Sequence, residues 1–415
     1  MRHVIIGNSA AAIGAVEGIR QVNTQCEITV VSDESHHTYS RPLISYLLQG
    51  KVSEGKMKYR CDDFYAQNNV RLIHARAETI DAGAKKVALS DGSRLPFDKL
   101  LVATGSSAFV PPFEGLATVS NKFTFMSLDD AHDLDKALGK DKRVLIVGAG
   151  LIGLKCAEGI SGRVAHVTVV DLAPTVLSSI LDEEGAKLVQ AHLEGKGIEF
   201  RLSHGVRRFD GNVAVLDNDG TIDFDLLVLA AGVRPNTALL DGIAQIDRGI
   251  VVNEKSETTA LDIYAAGDCT QTLDISSGLR KVMALLPNAY MQGECAGVNM
   301  AGGEKNFDKA IPMNAIGFFG LHIVTAGNYR GDVYAETGDG NYKRLFYGDN
   351  RLNGYIMIGN VEKAGIYTSL VRERTALDGI DFALVSEKPG LMAFTLSDRI
   401  AKLGGEQNAH IGIGF

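Results

Sequence analysis

The sequence has no tryptophan, nine prolines and five cysteines in 415 residues. So little proline excludes proline-rich linkers. The cysteines, Cys26, Cys61, Cys156, Cys269 and Cys295, are odd in number and widely spaced, with no CxxC or CxxxxC pair. That pattern argues against a disulfide framework, a zinc site or an iron–sulfur site in this chain. No metal-ligand set is expected. No apolar run approaches the ~18 residues that a membrane span needs. The opening residues MRHVIIGNSA hold no signal-type apolar core. A soluble, cytoplasmic protein with no membrane span is the expectation. Positive charge is in the minority, with 42 Lys and Arg against 50 Asp and Glu. A net charge of −8 offers no basic face for a phosphate backbone, so nucleic acid is not an expected partner.

What the sequence has in excess is glycine, at 46 residues. Hydrophobic residues are 45% and charged residues 22%, which is ordinary globular usage and excludes disorder or a coiled coil over the whole chain. The strongest pattern is an internal repeat. Val4-Ile5-Ile6 breaks at Gly7, a helix-forming stretch follows from Ala10 to about Arg20, and a second strand runs Ile28 to Val31 into Ser32-Asp33-Glu34. The same order returns with Val144-Leu145-Ile146-Val147, then Gly148-Ala149-Gly150-Leu151-Ile152-Gly153, a helix to about Ile160, and Val167 to Val170 with Asp171. Leu100 to Gly105 closes the first copy and Leu226 to Gly232 the second. Ile263 to Asp268 is one more buried strand, read as the chain returning to the first unit. The predicted fold is α/β, with two Rossmann-like nucleotide-binding domains, the second inserted in the first. From about residue 313 the texture becomes strand-rich up to 358, with turn signals Gly338-Asp339-Gly340 and Gly348-Asp349-Asn350, and then helical over 361–378. This is a C-terminal α+β domain.

Gly148, Gly150 and Gly153 form a complete dinucleotide fingerprint between a strand and a helix. The first glycine permits the tight turn, the second close approach of a pyrophosphate, and the third helix–strand packing. Leu151 and Ile152 begin the helix, whose positive end faces the phosphates. Asp171 is placed to accept hydrogen bonds from an adenosine ribose. A 2′-phosphate would meet a like charge there, and Leu172 and Ala173 supply no arginine, so NAD is favoured over NADP. The first copy is degenerate: Gly7 is kept, Ser9 replaces the second glycine and Ala12 the third, with Ala10 between them. Asp33 or Glu34 would bind its ribose, with Glu34 preferred.

This set of motifs, namely the Gly7 turn, Ala103-Thr104-Gly105, the inserted Gly148 unit, Gly232-Val233-Arg234-Pro235-Asn236 and Ala266-Gly267-Asp268, resembles the FAD-dependent pyridine nucleotide–disulfide oxidoreductase superfamily over residues 1–312. The resemblance implies FAD in the first copy and NAD(P)H in the second. It implies cofactor-binding roles for Ala77, Thr104, Gly105, Ala231, Gly232 and Gly267. Asp268 would serve the ribityl–pyrophosphate region, and the helix after Pro287 and Asn288 would face the flavin pyrimidine edge. Domains of 1–112 with 241–312 for FAD, 113–240 for NAD, and 313–415 at the C-terminus follow. Tyr39-Ser40-Arg41-Pro42-Leu43 looks like the segment of NADH–rubredoxin and ferredoxin reductases that lies along the flavin, with Arg41 on the FAD phosphates and Pro42 near the ring. There is no cysteine between Cys26 and Cys61, where thiol-using relatives carry one or two. Electron transfer between NAD(H) and an iron–sulfur protein partner is therefore the leading function. The overall texture of the chain, including Asn314 to Gly320, resembles flavin subunits of aldehyde or 2-oxoacid oxidoreductase complexes. A stand-alone reductase or oxidase and a flavin-bound redox-sensing scaffold are the alternatives. One departure stands out: a glutamate that follows the third glycine in many relatives is Lys155 here, and its lysine partner is Tyr46. These two are the expected catalytic pair.

Overall fold

The computed structural model describes residues 1–338, 340–391 and 394–402. Contacts divide the chain into two compact units, one of Met1–Leu273 with Arg280–Asp308, the other of Asp274–Leu279 with Lys309–Phe415.

The first unit holds two five-stranded parallel sheets. Strand β1 (Arg2–Ile6) leads through a glycine turn to α1 (Ala10–Val22) and β2 (Glu27–Ser32). A short helix, α2 (Ile44–Leu48), precedes β3 (Val70–His74) and β4 (Lys99–Val102). In the second half α3 (Leu128–Ala137) comes before β5 (Arg143–Val147), α4 (Leu151–Ile160), β6 (His166–Asp171), β7 (Ile198–Leu202) and β8 (Leu226–Leu229). Then β9 (Ile263–Ala265) and α5 (Leu286–Met300) follow. The first sheet has the order β9–β4–β1–β2–β3 and the second β7–β6–β5–β8 with Lys122–Phe123 at its edge. Parallel strands packed on both faces need continuous apolar runs. Val4, Ile5 and Ile6 in one sheet and Val144 to Val147 in the other are accordingly buried. As expected from the repeat, β9 joins the first sheet, pairing in parallel with β4.

Helix α1 crosses α5 at backbone contact. A Cβ added at Gly14 would lie 2.2 Å from the Tyr290 carbonyl oxygen, and one at Gly293 1.9 Å from that of Ala11. Only glycine on both helices permits this approach, and it seats α1 under the first glycine turn. Among the described residues no helix is long and apolar enough to cross a membrane, and no group of three or more His, Cys, Asp or Glu could hold a metal ion.

The second unit is a five-stranded antiparallel sheet built from β10 (Met313–Phe318), β11 (Leu321–Gly327), β12 (Asp332–Gly338), β13 (Asn341–Gly348) and β14 (Arg351–Ile358), in the order β10–β11–β14–β13–β12. Helix α6 (Ala364–Glu373) buries Tyr367, Leu370 and Val371 against it, with the Tyr355 and Tyr367 rings 5.6 Å apart. The helix is shorter than the 361–378 expected. Lys363 and Arg374 flank it in left-handed conformation, with φ of 60° and 51°, and end it at both sides. Of the expected turns, Gly348-Asp349-Asn350 has positive φ at Asp349 and Asn350. Asp339 lies outside the described residues, as does the 403–415 end of the expected third domain.

Candidate active site

Two glycine turns meet the same demand in the two halves of the first unit. Gly7 has φ +112° and Gly148 φ +121°. A Cβ at Gly7 would stand 2.1 Å from the Ala103 carbonyl oxygen, and one at Gly148 2.2 Å from that of Ala230. The Gly7 N–H donates to the Val31 carbonyl and the Gly148 N–H to the Val170 carbonyl, each at 2.8 Å. Beyond that the copies differ. Around Gly150 nothing lies within 4 Å of an added Cβ, so the turn is open where a pyrophosphate would approach. A Cβ at Gly153 would meet the Gly148 carbonyl oxygen at 1.9 Å, whereas the first copy carries Ala12, with its own Cβ, at the matching place.

The starts of the helices distinguish these turns from the rest of the surface. Ser9 and Gly150, the N-caps of α1 and α4, make no side-chain capping bond, and neither helix has an acid in its first turn. By contrast Ser127 caps α3 in a capping box with Asp130, and Asp182 caps the helix Glu183–Glu194. An uncapped helix start leaves orphan N–H groups and the positive end of the dipole for an anion. Both glycine turns thus fit the pyrophosphate of a dinucleotide. Helix α5, with Pro287 and buried Asn288 in its first turn, also begins without a capping bond or an acid.

Asp171 ends β6. Its carboxylate accepts from the Ala149 N–H at 2.6 Å and the Ala173 N–H at 2.8 Å. It braces the second glycine turn and keeps further lone pairs for ribose hydroxyls. Leu172 beside it is 75% exposed. In the first half, strand register sets Ser32 at the place of Asp171: Ile6 pairs with Val31 as Val147 pairs with Val170. Asp33 and Glu34 follow that place. Asp33 is exposed. Glu34 accepts from the Tyr39 hydroxyl at 2.8 Å and is ion-paired with Arg41. Burial pushes the Tyr39 hydroxyl pKa up, so it remains a donor at neutral pH. Its oxygen accepts from the Leu128 N–H at 2.9 Å, and Arg41 donates to the Met126 carbonyl at 3.1 Å. The segment 34–41 is thereby tied to the start of the second half. Pro42 lies in the short 3₁₀ turn Arg41–Leu43.

Thr104-Gly105 and Gly232 to Asn236 are distant in sequence and stitched together in space. Thr104 Oγ1 donates to the Asn236 carbonyl at 2.7 Å, Asn236 Nδ2 to the Thr104 carbonyl at 2.9 Å, and the Asn236 N–H to the Gly105 carbonyl at 2.9 Å. Asn236 was not among the expected site residues. Its place in a motif with no periodicity gave no signal of this contact. Ala231 and Gly232 lie just beyond β8, Gly232 with φ +109°. Gly267, with φ +84°, packs near the Cβ atoms of Ala11 and Ala289 and donates to Gln292 Oε1 at 2.8 Å. Burial raises the pKa of the next residue, Asp268, against the opposing pull of Arg41, and Ser106 Oγ donates to it at 3.5 Å. Ala77 opens a strand of a three-stranded antiparallel sheet and packs against the core cluster that includes Ile6 and Val31.

The structure brings Lys155 and Tyr46 together. The Lys155 ammonium stands 4.4 Å from the Tyr46 ring centroid. It is also ion-paired with Glu158, one turn along α4, whose side chain is 3% exposed. Glu158 was not anticipated. Its i, i+3 spacing from Lys155 was the available signal. All five cysteines are free, with Cys61 exposed and the others buried.

A match to the pyridine nucleotide-disulphide oxidoreductase family spans residues 1–293. The chain belongs to that family. It is an FAD-dependent NAD(H) oxidoreductase, and FAD and NAD(H) are its cofactors. Subunit epsilon of the NADH-dependent phenylglyoxylate dehydrogenase of Aromatoleum evansii is 32% identical over 391 residues, 91% of this chain and 92% of that one. The rubredoxin-NAD(+) reductase of Pseudomonas putida is 30% identical over 310 residues, 73% of this chain and 80% of that one. Among solved structures, the reductase–putidaredoxin covalent complex has a chain that superposes with a TM-score of 0.85 at 22% identity, covering 98% and 99% of the two chains. At that identity the likeness is one of fold.

Proposed function

We propose that the chain is the flavin-bearing electron-transfer component of a larger oxidoreductase, moving electrons between NAD(H) and an iron–sulfur protein. The observation that carries this reading is end-to-end similarity to a subunit of an NADH-dependent dehydrogenase, over more than nine tenths of both chains. The resemblance to rubredoxin reductases agrees with it, as does the lack of a cysteine between Cys26 and Cys61. The iron–sulfur partner belongs in this reading to a 2-oxoacid or aldehyde oxidoreductase complex, and a cytoplasmic location belongs to the same proposal.

In this reading residues 1–112 and 241–312 hold FAD, residues 113–240 hold NAD(H), and 313–415 form the interface domain. Gly7, Ser9, Ala10 and Ala12 take the FAD pyrophosphate at the start of α1, and Asp268 takes the ribityl side. Gly148, Gly150, Leu151, Ile152 and Gly153 take the NAD pyrophosphate, and Asp171 takes its ribose. FAD, when bound, links the two-electron chemistry of NADH to one-electron carriers. The protein's part is orientation: hydride transfer demands reacting atoms held about 3–3.5 Å apart and aligned. The Thr104–Asn236 bonds and the Arg41 and Tyr39 contacts to residues 126–128 hold the two halves for that purpose.

Anaerobic NADH titration of the isolated protein tests the first half of the reading, with full flavin bleaching at one NADH per FAD expected. Untagged purification from the source cell tests the second. Co-purification with iron–sulfur subunits supports it. A lone chain that turns over oxygen or a small molecule at a rate matching NADH oxidation in the cell defeats it in favour of a stand-alone oxidase.

A further inference from the structure

We propose that Glu158 is a positioning residue for the joint between the two cofactor-binding halves: its buried carboxylate holds the Lys155 ammonium on the face of Tyr46. The proposal rests on the flavoprotein reading above. Glu158 is 3% exposed and Lys155 16%. A carboxylate that far from water is kept beside a compensating cation, because an isolated buried charge is too costly. The ammonium is then 4.4 Å from the Tyr46 ring centroid, within cation–π range. Lys51 stands on the same ring at a longer 5.8 Å.

The location gives the pair its meaning. Tyr46 is on α2, directly after Arg41 and Pro42. Lys155 and Glu158 are on α4, the helix that opens at the second glycine turn. The two helices touch at backbone level beside the pair: a Cβ at Gly159 would stand 3.1 Å from the Ser45 carbonyl oxygen. Just beyond, the Arg163 guanidinium donates to the Leu48 carbonyl at 3.0 Å. Spacing between the helices is thus set by backbone, and the Lys155 side chain fills the gap. Both signs of the ion pair come from α4, while α2 contributes a neutral ring. Lys155 therefore reaches the FAD half with its charge already matched by Glu158.

Glu158→Gln in the holoenzyme tests this. It removes one negative charge beside Lys155 with little change of shape. The flavin midpoint potential is expected to shift upward, because a cation favours the reduced, anionic flavin. Adding Lys155→Met to Glu158→Gln should return the potential to the wild-type value, and Glu158→Asp alone should leave it there. Flavin content stays at one per chain in each case. An unshifted potential in Glu158→Gln overturns the proposal, as does a double variant that matches Glu158→Gln. If Glu158→Gln does not accumulate, or if the wild type purifies without flavin, a thermal cycle decides. The Tm losses of Tyr46→Leu and Lys155→Gln should then be smaller together than their sum, and additive losses overturn the proposal. A flavin-free wild type defeats the flavoprotein reading alone.

Discussion

Ser32 stands in the first half of the nucleotide-binding unit where Asp171 stands in the second. The register is the same, Ile6 with Val31 and Val147 with Val170, and both glycine turns are anchored to that neighbouring strand at 2.8 Å. The consequence is chemical. Asp171 uses both carboxylate oxygens on backbone N–H groups of its own turn. Ser32 is buried, and its hydroxyl donates to the Glu34 carbonyl at 2.9 Å. The second half therefore carries its acid on the last residue of the strand, whereas the first half carries Asp33 and Glu34 one and two residues later, with Glu34 ion-paired to Arg41.

Asp171 should set the choice of nicotinamide cofactor. Asp171→Ser with Leu172→Arg is expected to lower kcat/KM for NADH by about 10–100-fold, or ~1.4–2.8 kcal/mol, and to raise it for NADPH. Part of the loss comes from the Ala149 N–H, which is left without its acceptor at a buried residue. Steady-state kinetics with both cofactors checks this. A wild type equally efficient with NADH and NADPH would count against it.

The two glycine turns should separate in their effects. Gly148→Ala forces a Cβ onto the Ala230 carbonyl and Gly7→Ala onto that of Ala103. Gly148→Ala is expected to abolish NADH binding in calorimetry while the flavin spectrum persists. Gly7→Ala is expected to lose the flavin. Loss of flavin in both would mean that the halves do not bind their cofactors independently.

His3 should make the fold sensitive to mild acid. It lies in β1 at 1% exposure, both ring nitrogens lack a protein partner, and burial, ahead of nearby positive charges, lowers its pKa to about 4. The unfolded chain, with a pKa near 6.5, binds the proton more readily, so stability rises with pH across this window. The contribution is fully present above about 6.5 and is lost as pH falls toward 4, at roughly 2–3 kcal/mol in total. Urea unfolding at pH 7 and pH 5 should show the loss, and His3→Leu should flatten it.

The parallel sheets were legible because both faces of each are buried, which writes continuous apolar runs such as Val144 to Val147 into the sequence. The glycine turns were legible because only glycine fits at Gly7 and Gly148. The return of Ile263 to Ala265 to the first sheet followed from its apolar run ending in glycine and acid. What joins the halves was not legible. Asn236 contacts Thr104 across 132 positions of chain, and no local pattern encodes such a pairing. Strand register, which the sequence leaves open by a residue, puts Ser32 at the place that Asp171 takes in the second half, with Asp33 and Glu34 just beyond it. Glu158 was hidden because an acid on an amphipathic helix ordinarily faces water.

Asp268 should exchange stability for cofactor binding. Burial raises its carboxyl pKa, and Arg41 only partly offsets this. A raised carboxyl pKa means that the folded chain holds its proton more tightly than the unfolded chain. Stability then falls as pH rises from the unfolded value near 3.8 through the folded value, and at neutral pH the ionised carboxylate is a net burden. Asp268→Asn removes that burden while keeping shape and one acceptor oxygen. The flavin-stripped variant is therefore expected to melt at a higher temperature than the flavin-stripped parent, by a few degrees at pH 7 and by less at pH 4. In the same variant the FAD dissociation constant should rise about tenfold or more, ~1.4 kcal/mol, because an amide is a weaker acceptor for ribityl hydroxyls than a carboxylate. Differential scanning calorimetry and fluorescence titration with FAD measure the two effects separately. A variant that both melts lower and binds FAD normally would show that Asp268 serves packing around Gly267 and Ser106, and not the cofactor.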